Sequence, residues 1–257
     1  MPRIKHASQG GRGLGGPRYS DNYAVRKVFY CRIIDFHFSS YDGFIFEQWF
    51  EALDWKDYFQ INVPYYVEVV KEFYSNLSSV GDGCNGNLEI KTKVNKVTIK
   101  FNDQILGNIL NVPTRGSKFF ETKKWPNNPE LVLEDCLRVS YPNKNLFDGM
   151  AKPTNILNGE HTTLHHITTT HILPTSGDHK KMSYQDLYVI WHIVNGRPLN
   201  LPHLVMKNML RATTKVDGAL PYGMVITKII TRFGIFIGNK APSKIDVGDI
   251  YIASSLK

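Results

Sequence analysis

A mainly helical α+β domain carrying one small β-hairpin is the fold that this 257-residue chain predicts. Three observations lead there. Apolar residues recur three and four apart before residue 78 and again after residue 160, the period of helices with one buried face. Between Leu88 and Phe101 the spacing switches to two, the period of half-buried strands. Hydrophobic residues at 42% and aromatics at 12% supply enough apolar surface for a sizeable core.

The elements follow in order. Residues 1–19 form a basic Gly/Arg tail with almost no apolar content, and its glycines would lose much entropy on ordering, so it reads as a disordered leader. Phe46, Trp49, Phe50 and Leu53 line one face of a first helix. Pro64 suits the opening turn of a second, on which Tyr66, Val69, Val70, Phe73 and Leu77 repeat the pattern. SSVGDGCNGN (78–87) is a break. Leu88, Ile90, Thr92 and Val94, then Val97, Ile99 and Phe101, alternate with polar residues on either side of Asn95-Lys96 and predict the hairpin at 88–101. Asn102 and Asp103 can cap a short helix that Pro113 ends.

Residues 117–160 are punctuated by Pro and Gly, with a short helix near 130–138, and suit a junction between two subdomains. Helices return from His161 to Leu173, after a capping pair Ser183/Asp186, from Leu201 to Leu210, and after Pro221 up to Gly234. The domain is thus read as 20–240, with 241–257 as a C-terminal tail.

Charge and cysteine usage narrow the function classes. Half of the net charge of +8 lies in the leader, on Arg3, Lys5, Arg12 and Arg18. Cys31, Cys84 and Cys136 are odd in number and unpaired in spacing, which argues against a disulfide framework or a zinc ribbon. There is no secretory signal pattern and no apolar run long enough to span a membrane, so nucleus or cytoplasm is the expected location.

Two pairs of segments carry a family likeness: VPYYVEVVKEFYSNL (63–77) with VNKVTIKFNDQILGNILNVPTRG (94–116), and LHHITTTHILPTSGDHKKMSYQDLYVIWHIVNGRPLNLPHLVMKNML (164–210) with LPYGMVITKIITRFGI (220–235). In order and spacing they resemble the plant transposon-protein domain family, a retrotransposon-associated group. The likeness covers about residues 20–240. It departs at Thr163, where the family often has arginine or lysine before its Leu-His pair, and over 117–160. The hairpin and following helix also resemble, more weakly, the plant mobile domain. The resemblance implies a product of a transposable element and carries no catalytic or binding residues with it.

Candidate chemistry comes from the residues themselves. In EHTTLHHITTTH, the side chains of Glu160, His161, His165, His166 and His171 cluster in sequence, and His161 and His165 stand one helical turn apart as weak metal-ligand candidates. The HExxH order is absent, and a buried, hydrogen-bonded histidine is the simpler reading. A three-carboxylate nuclease would need acids converging on a sheet, and Asp35 is the one acid in a strand-like run. GGRGLGG lacks the Lys-Ser/Thr of a phosphate loop, and no GxSxG elbow occurs. No catalytic residue and no cofactor are expected.

Lys91, Lys93 and Lys100 on the outer face of the hairpin, with Arg3, Lys5, Arg12 and Arg18 of the tail, form the candidate nucleic-acid-binding set. Exposed strand lysines also discourage edge-to-edge aggregation, which needs no partner. The sequence therefore predicts a non-enzymatic module that binds nucleic acid, or element-encoded or host proteins. The alternative is a metal-dependent nuclease or other hydrolase of the mobile element.

Overall fold

The computed structural model describes residues 20–29, 32–36, 46–80, 88–121, 123–129, 131–140, 157, 159–175, 180–244 and 250–251. The leader 1–19, Cys31 and Cys84 lie outside them. The chain runs α1 (Asp21–Ala24), β1 (Ile33–Ile34), α2 (Phe46–Ala52), α3 (Lys56–Phe59), α4 (Val67–Ser75), β2 (Ser78–Val80), β3 (Glu89–Val94), β4 (Val97–Asn102), α5 (Asp103–Leu110) and α6 (Leu133–Ser140). It continues with α7 (Gly159–Ile167), which passes into a π-helical turn at Thr168–Ile172, then α8 (Tyr184–Val194), α9 (Leu201–Thr213), α10 (Gly223–Arg232) and β5 (Ile250–Tyr251). The architecture is mainly helical α+β.

The hairpin forms in the register that period two dictates, with Ile90 opposite Phe101, Thr92 opposite Ile99 and Val94 opposite Val97. Asn95 and Lys96 both adopt left-handed backbone, φ 47° and 68°, which makes the two-residue turn that matches strand twist. Ile90, Val94, Ile99 and Phe101 are buried. The sheet has a third member: Ser78–Val80, read from sequence as part of a break, pairs antiparallel with β3. All three of its residues are exposed, so no apolar alternation marks it; backbone pairing recruits it, and Ser78 Oγ adds a bond to the Lys91 carbonyl at 3.3 Å.

The segment EFYSN (72–76) of α4 and its C-terminus is what holds the sheet. Thr92 Oγ1 donates to the Phe73 carbonyl at 2.7 Å. The Glu72 carboxylate accepts the Asn95 N–H of the turn at 2.9 Å. Asn76 Nδ2 donates to the carbonyls of Glu72 and Lys93 at 2.9 and 3.0 Å. The rings of Phe73 and Phe101 pack with centroids 6.5 Å apart. Every polar link here satisfies a backbone group, and for the buried Phe73 carbonyl Thr92 supplies a partner that solvent would not.

Two helix boundaries differ from the sequence reading. Pro64 stands outside α4, because Tyr65 is drawn into extended pairing with Ser243. Helix α5 stops at Asn111, in left-handed backbone (φ 57°), two residues before Pro113. Its start is as expected, with Asn102 Oδ1 accepting from Ile105 N at 2.9 Å.

The remaining caps explain much of the C-terminal sequence. Ser183 and Asp186 form a reciprocal capping box on α8, and Gly196 and Gly234 turn the chain after α8 and α10. Asn200, fully buried, caps α9 with its Oδ1, while its Nδ2 donates to Thr114 O at 2.7 Å and Asp103 Oδ2 at 2.9 Å. Gly116 (φ 95°) lets the chain pass beside α9, since a Cβ there would stand 2.2 Å from the Pro198 carbonyl.

The described part of 117–160 lies on α8: Phe119 packs on Tyr188 and Trp125 on both Tyr184 and Tyr188. The aromatics Phe46, Phe50, Trp55, Tyr58, Phe59, Tyr65, Phe73 and Tyr74 are all buried in the core. Beyond residue 241, Ile250–Tyr251 pair in parallel with Ile33–Ile34.

Candidate nucleic-acid interface on the basic sheet face

Because side chains alternate along a strand, burying Ile90, Val94, Ile99 and Phe101 turns Lys91, Lys93 and Lys100 outward, and all three are exposed. Register then brings them together. Lys91 is paired directly with Lys100, and Ser78 of β2 stands on its other side; Lys93 faces Thr98 two rungs nearer the turn. Directly opposed side chains in an antiparallel pair start about 4.5–5.5 Å apart at Cβ, and like charges so placed destabilise the sheet. Among the described residues no carboxylate forms an ion pair with any of these lysines. Glu89 shares the face but lies on the rung farthest from the turn, opposite Asn102.

Strand order bears on the alternative role of the lysines. Charges that discourage aggregation belong on edge strands. Lys100 is on the edge strand β4, but Lys91 and Lys93 are on β3, the central strand. Edge protection therefore accounts for one lysine of the three. Sequence reasoning found these residues through periodicity. Ser78 carries no such signal, and Lys96, legible as a turn residue, is placed beside these lysines only by the pairing.

Arg3, Lys5, Arg12 and Arg18 lie outside the described residues. His161 and His165 are on α7 as expected, and both are buried. Burial holds the His161 imidazole below its ordinary pKa. His165 Nε2 is 3.8 Å from Asp186 Oδ2, the carboxylate that caps α8. Burial pushes the Asp186 carboxyl upward, but the nearby His165 ring and the Ser183 hydroxyl and amide outweigh it and hold it below the ordinary value. His171, also buried, is pushed down to about 3 by burial first and then by the charge of Arg32. Among the described residues no three His, Cys, Asp or Glu side chains gather so as to hold a metal ion. Of these histidines His165 faces α8 through Asp186, while the His171 ring packs near Phe59 of α3.

Other places for chemistry resolve in the same way. An open groove of about 580 Å³ between α2, α3 and α5 is lined by Glu51, Asp54 and Asp57. Glu51 pairs with Lys56 at 2.9 Å, Asp54 with Arg115 at 3.1 Å, and Asp57 accepts from Asn111. Its acids are thus tied to neighbours and do not converge. Cys136 is buried, and burial pushes its thiol up to about 12, which leaves no thiolate for nucleophilic work. No helix among the described residues is long and apolar enough to cross a membrane.

No curated protein and no solved structure shows significant similarity to the chain. A family model does match, over residues 51–235, and its description is "Putative plant retrotransposon-related domain". That span includes the sheet with its docking segment 72–76, the Asn200 brace and the capped helices α8–α10. With most of its length inside the match, the chain belongs to this plant retrotransposon-related family, whose function is unknown.

Proposed function

We propose that the domain is a non-enzymatic nucleic-acid-binding module of a plant retroelement, contacting the sugar–phosphate backbone through Lys91, Lys93 and Lys100. The observation that carries this reading is the opposed pair Lys91/Lys100 on an outward face, two like charges in register that form no ion pair among the described residues, with Glu89 as the neighbouring acid on that face. A phosphate seated between the two ammonium groups would relieve their repulsion and release its counterion. The basic leader, with Arg3, Lys5, Arg12 and Arg18, would add non-specific contacts to the same polyanion. A protein partner is the weaker fit, because interface cores are depleted in lysine.

The test is a salt-titrated binding assay with single- and double-stranded DNA and RNA, using the full chain and a form lacking residues 1–19. Each of Lys91→Gln, Lys93→Gln and Lys100→Gln is expected to weaken binding on all sequences alike. Each should also reduce the slope of log K against log salt by about 0.7–0.9, the value of one phosphate contact. Absence of salt-dependent binding by the full chain overturns the reading. Loss of all binding on removing the leader, with the lysine variants unchanged, overturns it for the sheet.

A further inference from the structure

Phe236 is 83% exposed, although its neighbours Ile235 and Ile237 both turn into the core, Ile235 fully and Ile237 in part. Two inward residues in alternation force the one between them outward. The backbone that carries it is tied down along its length. Ile235 N donates to Ile230 O at 3.1 Å, and the Phe236 carbonyl accepts from Asn95 Nδ2 of the hairpin turn at 2.7 Å. Lys240 Nζ reaches Glu68 at 3.2 Å, and Ser243 and Tyr65 exchange both backbone hydrogen bonds at 2.8 and 3.0 Å. The chain turns at Gly238 (φ 76°), the site from which a Cβ would meet the Phe236 ring edge at 3.9 Å. An apolar ring in water is thus held on fixed backbone beside the hairpin tip, where Lys93 and Lys96 are exposed.

We infer that Phe236 is a stacking platform for an unpaired nucleobase, which makes the preferred ligand a single strand. This rests on the lysine reading of the sheet face and adds the ligand class to it. Duplex DNA or RNA keeps its base faces inside the stack, so an exposed phenylalanine gains nothing from it. A single strand offers every base face, and its phosphates remain available to Lys91, Lys93, Lys96 and Lys100. The open groove of about 610 Å³ beside the ring is lined by Asn95, Asn239, Lys240 and the Glu68 that pairs with Lys240, and leaves room for a base with polar groups at its edge. The anchored backbone means that little ordering is needed on binding. The charge on the neighbouring turn selects an anionic strand over an apolar protein surface.

The test compares the full chain with Phe236→Ala and Phe236→Tyr, using short oligouridylate and oligothymidylate as single-strand probes and a blunt duplex as control. The substituted side chain is exposed, so both variants should fold as the parent does. Phe236→Ala should weaken single-strand binding about fivefold to a hundredfold, the range of one base–aromatic stack, with duplex affinity and salt slope unchanged. Phe236→Tyr should keep parental affinity. A stronger effect on one oligonucleotide assigns the strand as RNA or DNA within the same chemistry. If the lysine variants weaken binding while Phe236→Ala does not, or if it weakens single strand and duplex equally, the stacking inference fails and the lysine reading stands. If the parent chain binds no probe in a salt-dependent way, both fail together. Loss of a co-purifying protein on Phe236→Ala, with oligonucleotide binding intact, would mark the ring as a protein contact and overturn it as well.

Discussion

The sheet face and the histidine-rich helix are two runs of titratable side chains that burial sends to opposite uses. On β3 and β4, period two turns Lys91, Lys93 and Lys100 into solvent, where they form no ion pair among the described residues. On α7 and the π-helical turn after it, His161, His165 and His171 face the core, where a charged ring is poorly solvated. In sequence the histidine cluster reads as the stronger candidate for chemistry, because ligand-type residues fall one helical turn apart. In the fold His161, His165 and His171 of that cluster are buried, and the plainer lysines are exposed.

The comparison can be broken first at the apolar support of the sheet. Phe73 of α4 is fully buried against Phe101 of β4. Phe73→Ala is expected to destabilise the chain by about 3–5 kcal/mol, read from the midpoint of a urea titration. If binding to nucleic acid survives this change in a chain that no longer folds, the leader alone is the binding element and the sheet face is irrelevant.

A second measurement sharpens the histidine side. Burial chiefly pushes His171 down to about 3 and His192 and His203 down to about 4, from the ordinary 6.5. The folded rings therefore lose protons at lower pH than the unfolded ones. The stability that depends on keeping them neutral is complete above pH 6.5 and is lost as the pH falls toward 4. Each histidine should contribute a slope of about 1.4 kcal/mol per pH unit inside that window. Urea titrations between pH 7 and pH 4 should show this slope, and His203→Leu should remove one histidine's share. His203 Nδ1 has no hydrogen-bond partner among the described residues, so the same variant should remain within about 1.5 kcal/mol of the parent at pH 7. An unchanged slope would mean that His203 is not held neutral by the fold.

The smallest effect is the most diagnostic. Lys100→Glu replaces a like-charged rung with an opposite-charged one opposite Lys91. It should stabilise the sheet by about 0.2–1 kcal/mol while weakening nucleic-acid binding more than Lys100→Gln does. Stability and binding moving in opposite directions is the signature of charges kept for a ligand. Both unchanged would mean that the opposed lysines are only solvated.

Several elements were legible because one local cause decides them. The two-residue turn at Asn95-Lys96, the cap at Asn102, the box at Ser183/Asp186 and the stops at Gly196 and Gly234 each follow from side chains acting on backbone a few residues away. Strand β2 was not legible, since Ser78–Val80 has no apolar alternation. Pro64 and Pro113 were misread as helix boundaries because distant pairing to Ser243 and the left-handed Asn111 act first. Phe236 could have been noticed as the middle of Ile-Phe-Ile, but alternation alone does not say which parity faces the core.

The amino-acid order by itself determined where the longer helices and the hairpin lie, which faces of them are apolar, and that three lysines share one side of a strand pair; it did not mark the one-turn helices α1 and α3. Period and capping are local properties, written within a few residues. Only the tertiary structure decided that Lys91 meets Lys100 on a sheet whose central strand is β3, that the histidines turn inward, and that Phe236 is pinned in solvent beside the turn. Those outcomes depend on contacts between segments far apart in the chain, such as Asn95 with Phe236 and Asn200 with Thr114, and no window of sequence contains both partners.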